Sequence, residues 1–167
     1  MNTLHSFRAP WGLTLKLVSA VGSAICLGLF SMQVLSSAAL HRYQPLAWLW
    51  SLLPVMVLAC ALFTVRGYRI ESHALLVERL LWVTRIPLDG LLSASVEVRA
   101  MRGSVRTCGN GGLFSFSGLY WNRNLGHYRA FVTDLNHTVV LRFVTRTLVV
   151  SPDRPEEFVR ELGVESH

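Results

Sequence analysis

Leu17–Leu40 reads LVSAVGSAICLGLFSMQVLSSAAL, and Leu46–Val65 reads LAWLWSLLPVMVLACALFTV; neither contains a charged residue. The first stretch has 24 residues and the second 20. A helix rises about 1.5 Å per residue and a bilayer core is about 30 Å thick, so each stretch is long enough to cross it. Only His41–Pro45 separates them, and so short a link forces neighbouring antiparallel helices. Counting the flanks, spans at about 13–40 and 46–65 make residues 1–65 a head and helical hairpin, followed by a different kind of chain over 66–167.

Met1–Lys16 reads as a short polar head. Ser37-Ala38-Ala39 has the small residues of a signal-peptide cleavage site, but signal cores run about 7–15 residues, and a second apolar stretch follows at once. The expected state is therefore an uncleaved hairpin. Arg8 and Lys16 precede it, Arg42 alone is in the link, and Arg66, Arg69, Arg79 and Arg85 follow it. That bias places both termini in the cytoplasm. Trp11, Tyr43, Trp48 and Trp50 fall near span ends, as interfacial aromatics do. Pro54 predicts a kink in the second span, and Ser19, Gly22, Ser23 and Cys26 form a small-residue stripe suited to the second helix or to a second copy of the chain.

The apolar fraction of 51% and net charge of +6 belong to the whole chain, and the mean hydropathy of +0.40 is explained by the hairpin. From Arg66 onward thirteen Arg face ten acids, a net charge of +3 with no basic run, which argues against a nucleic-acid partner. A mildly basic surface beside a bilayer is instead drawn to anionic headgroups. Cys26, Cys60 and Cys108 have no metal spacing, and an odd count outside a disulfide scaffold reads as reduced thiols.

After Arg66 the apolar period changes to two. Ser95–Ala100 and Thr138–Phe143 alternate as half-buried strands, and Leu75–Arg79, Trp82–Ile86, Val105–Cys108, Leu113–Ser117, Arg129–Thr133 and Thr147–Val150 are further strand-like runs. Turn signals separate them, among them Glu71-Ser72-His73, Asp89-Gly90 and Gly109–Gly112. Short strands at this spacing predict an antiparallel sandwich or barrel of about seven strands. Pro155, Glu156 and Glu157 then open a short helix that Gly163 ends, with Phe158, Val159 and Leu162 on its apolar face.

Gly67-Tyr68-Arg69-Ile70 after a span, Arg85-Ile86-Pro87-Leu88 before Leu91–Val96, glycine-rich Cys108–Gly112 ahead of Gly118-Leu119-Tyr120, and the ending Val149-Val150-Ser151-Pro152-Asp153-Arg154-Pro155-Glu156-Glu157-Phe158 resemble the bacterial PH-domain family in its membrane-anchored form. The resemblance covers about residues 66–162. It implies a bent seven-stranded antiparallel barrel-like sandwich closed by a C-terminal helix at about 154–163. The expected class is thus an α+β membrane protein of the bacterial inner membrane: two transmembrane helices and a PH-like domain. Fold alone does not fix function. Eukaryotic PH domains often grip phosphoinositides with a basic first-hairpin loop; here that loop is Ser72-His73 between Glu71 and Glu78, so that specificity does not carry over.

No catalytic constellation stands out. Cys108–Gly112 lacks the lysine and following helix of a phosphate loop and reads as a turn between strands. Cys108, His127 and Asp134 could be imagined as a nucleophilic site, but nothing in their spacing requires it. Asn136-His137-Thr138 matches a glycosylation sequon, and reads as a hairpin turn. Tyr120–Asn124 reads as an aromatic loop tip, and Arg102, Arg106, Tyr120, Trp121 and Arg123 are the expected contacts for a partner or membrane. The expectation is a non-catalytic module, without cofactor or metal, that binds a protein partner at the cytoplasmic face; an anionic-lipid or membrane-surface module is the alternative.

Overall fold

The computed structural model describes residues 5–40, 47–71 and 73–163. The link His41–Pro45 and Ser72 of the first hairpin lie outside them. The head supplies strand β1 (His5–Arg8) and leads into helix α1 (Leu13–Leu40). A 3-10 turn (Ala47–Ser51) precedes helix α2 (Leu52–Leu62). Strands β2 (Val65–Glu71), β3 (Ala74–Arg79) and β4 (Val83–Pro87) follow, then β5 (Leu91–Val96), β6 (Val105–Gly111), β7 (Phe116–Asn122), β8 (Gly126–Val132), β9 (Val139–Phe143) and β10 (Thr147–Val150). Helix α3 (Pro155–Glu161) ends the described chain.

The strands form two sheets, ordered β1-β2-β3-β4 and β5-β9-β10-β8-β7-β6. Three points depart from the expected seven-stranded antiparallel sheet. The head adds β1, paired antiparallel to β2 from His5↔Ile70 to Arg8↔Gly67. The described residues hold ten strands. And β10 inserts between β9 and β8, running parallel to β8 from Leu148↔Arg129 to Val150↔Phe131. The head looks polar in sequence because its sheet-facing residues are few: Phe7 and Ala9 are the buried ones, and two residues make no visible period.

The core between the sheets gathers Phe7, Val65, Tyr68, Leu75, Val77, Phe131, Leu141, Val150 and Phe158. Its apolar burial is the main driving force of the fold. Helix α3 closes one end through Phe158, whose ring stands edge-on to Phe7 at 5.1 Å and Tyr68 at 6.2 Å. A seven-residue helix has no stability alone, and this docking supplies it. The Tyr68 hydroxyl donates to the Phe131 carbonyl at 2.5 Å and accepts from the Ser151 amide at 3.1 Å. Ser151 Oγ in turn accepts from the amides of Thr133 at 2.8 Å and Asp134 at 3.2 Å. Arg8 and Asp153 exchange backbone and side-chain bonds at 2.9 and 3.1 Å, tying the next loop to β1. Buried Ser151 and Pro152, with exposed Asp153 beyond them, thus form a knot that joins β1, β2, β8 and β10.

A second cluster covers the outer face of the six-stranded sheet: Met101, Tyr120, Leu125, Tyr128, Ala130, Val132, Val140 and Val149. Met101 reaches it from the loop after β5. The strand expected over Ser95–Ala100 stops at Val96, because Glu97 N–H and Ala100 N–H bond to Thr138 while Arg99 adopts φ 59°.

Helix α1 rises about 42 Å over its 28 residues, more than a bilayer needs. Its first turns belong to the domain, with Leu15 and Ser19 buried and Gly22 against Leu113. Beyond Gly22 about 27 Å of helix stands clear. The α2 segment packs on α1. Its eleven α-helical residues rise about 16 Å and the five-residue 3-10 turn about 10 Å. Leu13–Ala38 is long and apolar enough to cross a membrane, with mean hydropathy 1.9, whereas the helix Trp48–Leu62 is shorter than the 46–65 span expected. Val65 already belongs to the buried core, and Pro54, which cannot donate to the residue four before it, lies just after the 3-10 to α switch.

Candidate functional site

The turn Gly112–Ser115 joins α1 and the end of α2 to the sheet. Ser19 Oγ accepts from the Phe114 amide at 2.8 Å and donates to the Gly112 carbonyl at 3.4 Å. Ser115 Oγ donates to the Phe63 carbonyl, just past α2, at 3.1 Å. Phe114 sits at φ 65°, its ring 6.1 Å from Trp11. The glycine-rich stretch expected as a turn is strand β6, and the run expected as strand Leu113–Ser117 begins as this turn. The glycines are there for closeness. Gly109 pairs with Gly118, and a Cβ on Gly118 would lie 2.8 Å from Gly109 Cα and closer still to the Cys108 carbonyl. The small-residue stripe is divided accordingly: Ser19 and Gly22 face this turn rather than another helix.

Beside the junction, β3 ends in Arg79 and the hairpin Leu80–Val83 turns in the open. Leu81 is 70% exposed, with Leu80, Trp82 and Val83 also exposed. The Phe63 and Trp82 rings meet edge-on at 5.0 Å. The Arg79 guanidinium lies over Phe63, Trp82 and Phe131 at 5.5, 5.7 and 5.0 Å, donating to the Phe63 carbonyl and Thr84 hydroxyl at 3.2 Å each. Burial, and then the Arg129 charge, hold Arg79 below the ordinary arginine range. A cavity of about 380 Å³ separates these residues from the last turns of α2.

The five contacts expected from the sequence are not one surface. Tyr120 is in β7, not a loop tip, and is 5% exposed. Its ring stacks on Tyr128 at 6.0 Å and its hydroxyl donates to the Asn110 carbonyl at 2.7 Å. Burial pushes Tyr120 up to about 12, against the pull of Arg106, and raises Tyr128 as well. Arg106 is opposite Tyr120 in the ladder and shares with it a second cavity of about 390 Å³ on the outer face. Trp121 lies on the other face, opposite His127 and Val105. Arg102 and Arg123 are exposed in the turns beside β6 and between β7 and β8. Val105, Leu119 and Trp121 form an exposed apolar patch, with Arg129 opposite Leu119.

Cys108 and His127 are separated by β7, two strand spacings or about 10 Å. Asp134 is taken by His137, Oδ2 to Nδ1 at 2.9 Å. Among the described residues no three His, Cys, Asp or Glu side chains gather. Arg129 enters the sequence reading only as one of five arginines, with Arg99, Arg102, Arg106 and Arg123, that could share a basic surface, and Arg79 is absent from the expected contacts. The signal for Arg79 is the adjoining unbroken apolar run Leu80–Val83, where a hairpin tip is ordinarily polar.

Against known families, the model described as Bacterial PH domain matches residues 66–166. The chain belongs to the bacterial PH-domain family. The match begins within β2, so β1, α1 and α2 precede the matched residues, while the Gly112–Ser115 turn that meets the helices lies within them. No curated protein and no solved structure matches the chain. Bacterial PH domains are binding modules rather than enzymes, and the two-sheet sandwich with its closing helix is consistent with that family.

Proposed function

We propose that this bacterial PH domain is a non-catalytic module held by a two-helix hairpin in the inner membrane, where it binds a protein partner and organises a complex at the cytoplasmic face. One observation carries the partner: the patch of Val105, Leu119 and Trp121, 60%, 51% and 40% exposed, side by side on β6 and β7. Tryptophan with an arginine rim is the composition of interaction hot spots, and exposed apolar patches mark interfaces. The hairpin reading draws on length: about 27 Å of α1 beyond the domain stands beside about 26 Å of α2 and its 3-10 turn. Short helices of that length span by local thinning of the bilayer.

Affinity purification of the full chain from crosslinked native membranes tests this. One stoichiometric protein, lost with Trp121→Ala and Leu119→Ala, is the expected result; a chain recovered alone from intact membranes overturns it. The second reading, an anionic-lipid module, is favoured by the exposed Leu80–Val83 hairpin beside Phe63.

A further inference from the structure

We infer that the cavity between α2 and the six-stranded sheet is a site for one anionic phospholipid, its phosphate held by Arg79, Arg129 and Ser117 and its acyl chain lying along α2. This deepens the lipid reading and rests on the hairpin being in a membrane.

The two walls differ in chemistry. Met56, Ala59 and Phe63 form the apolar wall, all on or just past α2. Opposite stand two guanidiniums. Among the described residues neither has a carboxylate partner: the ion pairs belong to Arg69, His137, Arg142 and Arg154. Arg79 spends two donors on Thr84 and Phe63, and its other terminal nitrogen is left for a ligand. The Arg129 backbone is paired in the sheet with Leu119 and Leu148, but among the described residues its guanidinium has no hydrogen bond; it lies over the Phe131 ring at 5.0 Å and within reach of the Arg79 charge. Two like charges side by side, with no acid between them, are stabilised by an anion. Ser117 lines the same cavity, is 5% exposed, and its hydroxyl has no hydrogen-bond partner among the described residues. A buried unpartnered hydroxyl calls for an acceptor, and a phosphate oxygen is one.

A free phosphate would use the arginines and leave the α2 wall bare. A neutral lipid would use the wall and leave the charges unmet. The combination, at the end of an anchor helix and beside an apolar hairpin tip, fits a lipid whose headgroup is anionic. The basic first-hairpin loop used by eukaryotic relatives takes no part in it.

The full chain in nanodiscs of equal parts phosphatidylglycerol and phosphatidylcholine, released into native mass spectrometry, is the test. The expected spectrum retains one phosphatidylglycerol in preference to phosphatidylcholine. Arg129→Gln, an exposed residue whose loss spares the fold, lowers that retention about tenfold, and Ser117→Ala lowers it less. Arg160→Gln, which removes one equal charge on α3, leaves it unchanged. Equal retention of the two lipids, or unchanged retention in Arg129→Gln, overturns the site. Displacement of the bound lipid by glycerol phosphate overturns the lipid in favour of a soluble phosphate. Alkaline carbonate extraction of native membranes separates this failure from the other: a chain that washes off refutes the membrane hairpin itself.

Discussion

Tyr68→Phe isolates the buried knot at Ser151. The substitution leaves the ring in the core and removes only the hydroxyl. It orphans the Ser151 amide, which donates to no other described acceptor, and takes one donor from the Phe131 carbonyl. An orphaned buried group costs roughly 1–3 kcal/mol and an ordinary hydrogen bond contributes roughly 0.5–1.5, a sum of about 2–4 kcal/mol. For a domain near this size that lowers the melting temperature by at least about 8 °C. Alkali supplies a second, independent limb. Burial raises Tyr68 to about 12, against the hydrogen bonds from Ser151 that favour ionisation. An unfolded tyrosine titrates near 10. Between those values the unfolded chain has shed its proton and the folded chain has kept it, so stability falls as pH rises. The contribution is fully present below about pH 10, and is lost by about 1.4 kcal/mol per pH unit up to about pH 12. Tyr120, which shares the window, is in both proteins and cancels. Thermal melts of the full chain in detergent, followed by tryptophan fluorescence from pH 7 to 12, therefore show a large gap that closes in alkali. Equal midpoints at pH 7, or two curves that stay parallel above pH 10, would refute the reasoning.

Three other substitutions, one with a control at Gly126, test other parts of the fold. Gly118→Ala, at φ 147° with its new methyl against Gly109 Cα and the Cys108 carbonyl, forces β6 and β7 apart; the expected loss exceeds about 2 kcal/mol, measured by urea titration, and Gly126→Ala, which meets nothing, loses less. Phe158→Ala removes the plug between Phe7 and Tyr68 and lowers stability by about 3–5 kcal/mol, with the α3 amides losing their exchange protection first; a variant as stable as the parent means that α3 does not close the core. Ser19→Val removes the acceptor of the Phe114 amide, so limited proteolysis after Phe114 should quicken several-fold while the unfolding free energy falls by only about 1–2 kcal/mol; an unchanged digest means that the turn is held by other contacts.

Much of this architecture could be read beforehand, because it rests on period and composition. The long apolar helix needs only an uncharged stretch, β9 needs only alternation, and β3 and β10 need only short apolar runs bounded by turn signals. The Pro155-Glu156-Glu157 start of α3 is a local signal. What escaped is non-local. β1 exists because β2 has an open edge for His5–Arg8, not because those four residues prefer a strand. Cys108–Gly112 looked like a turn because glycine signals permissiveness, and here the permissiveness is used to let two strands touch. The loop tip at Tyr120–Asn124 moved by two residues, which sent Tyr120 to one face and Trp121 to the other. Arg79 and Arg129 are fifty positions apart, and only the sheet and α2 bring them to one cavity.

The turn at Gly112–Ser115 has a mechanical consequence. It holds α1 through Ser19 and the end of α2 through Phe63, with its own backbone pinned at the positive φ of Phe114. A rotation of α1 by one residue, about 100°, would carry Ser19 off Phe114, so the helix cannot spin without moving the loop. The loop in turn leads into β7, which lies between β8 and the edge strand β6 of the six-stranded sheet. Torque applied anywhere along α1 is therefore delivered to the sheet as a tilt, and the chain behaves as a crank with a fixed handle rather than as a bead on a string.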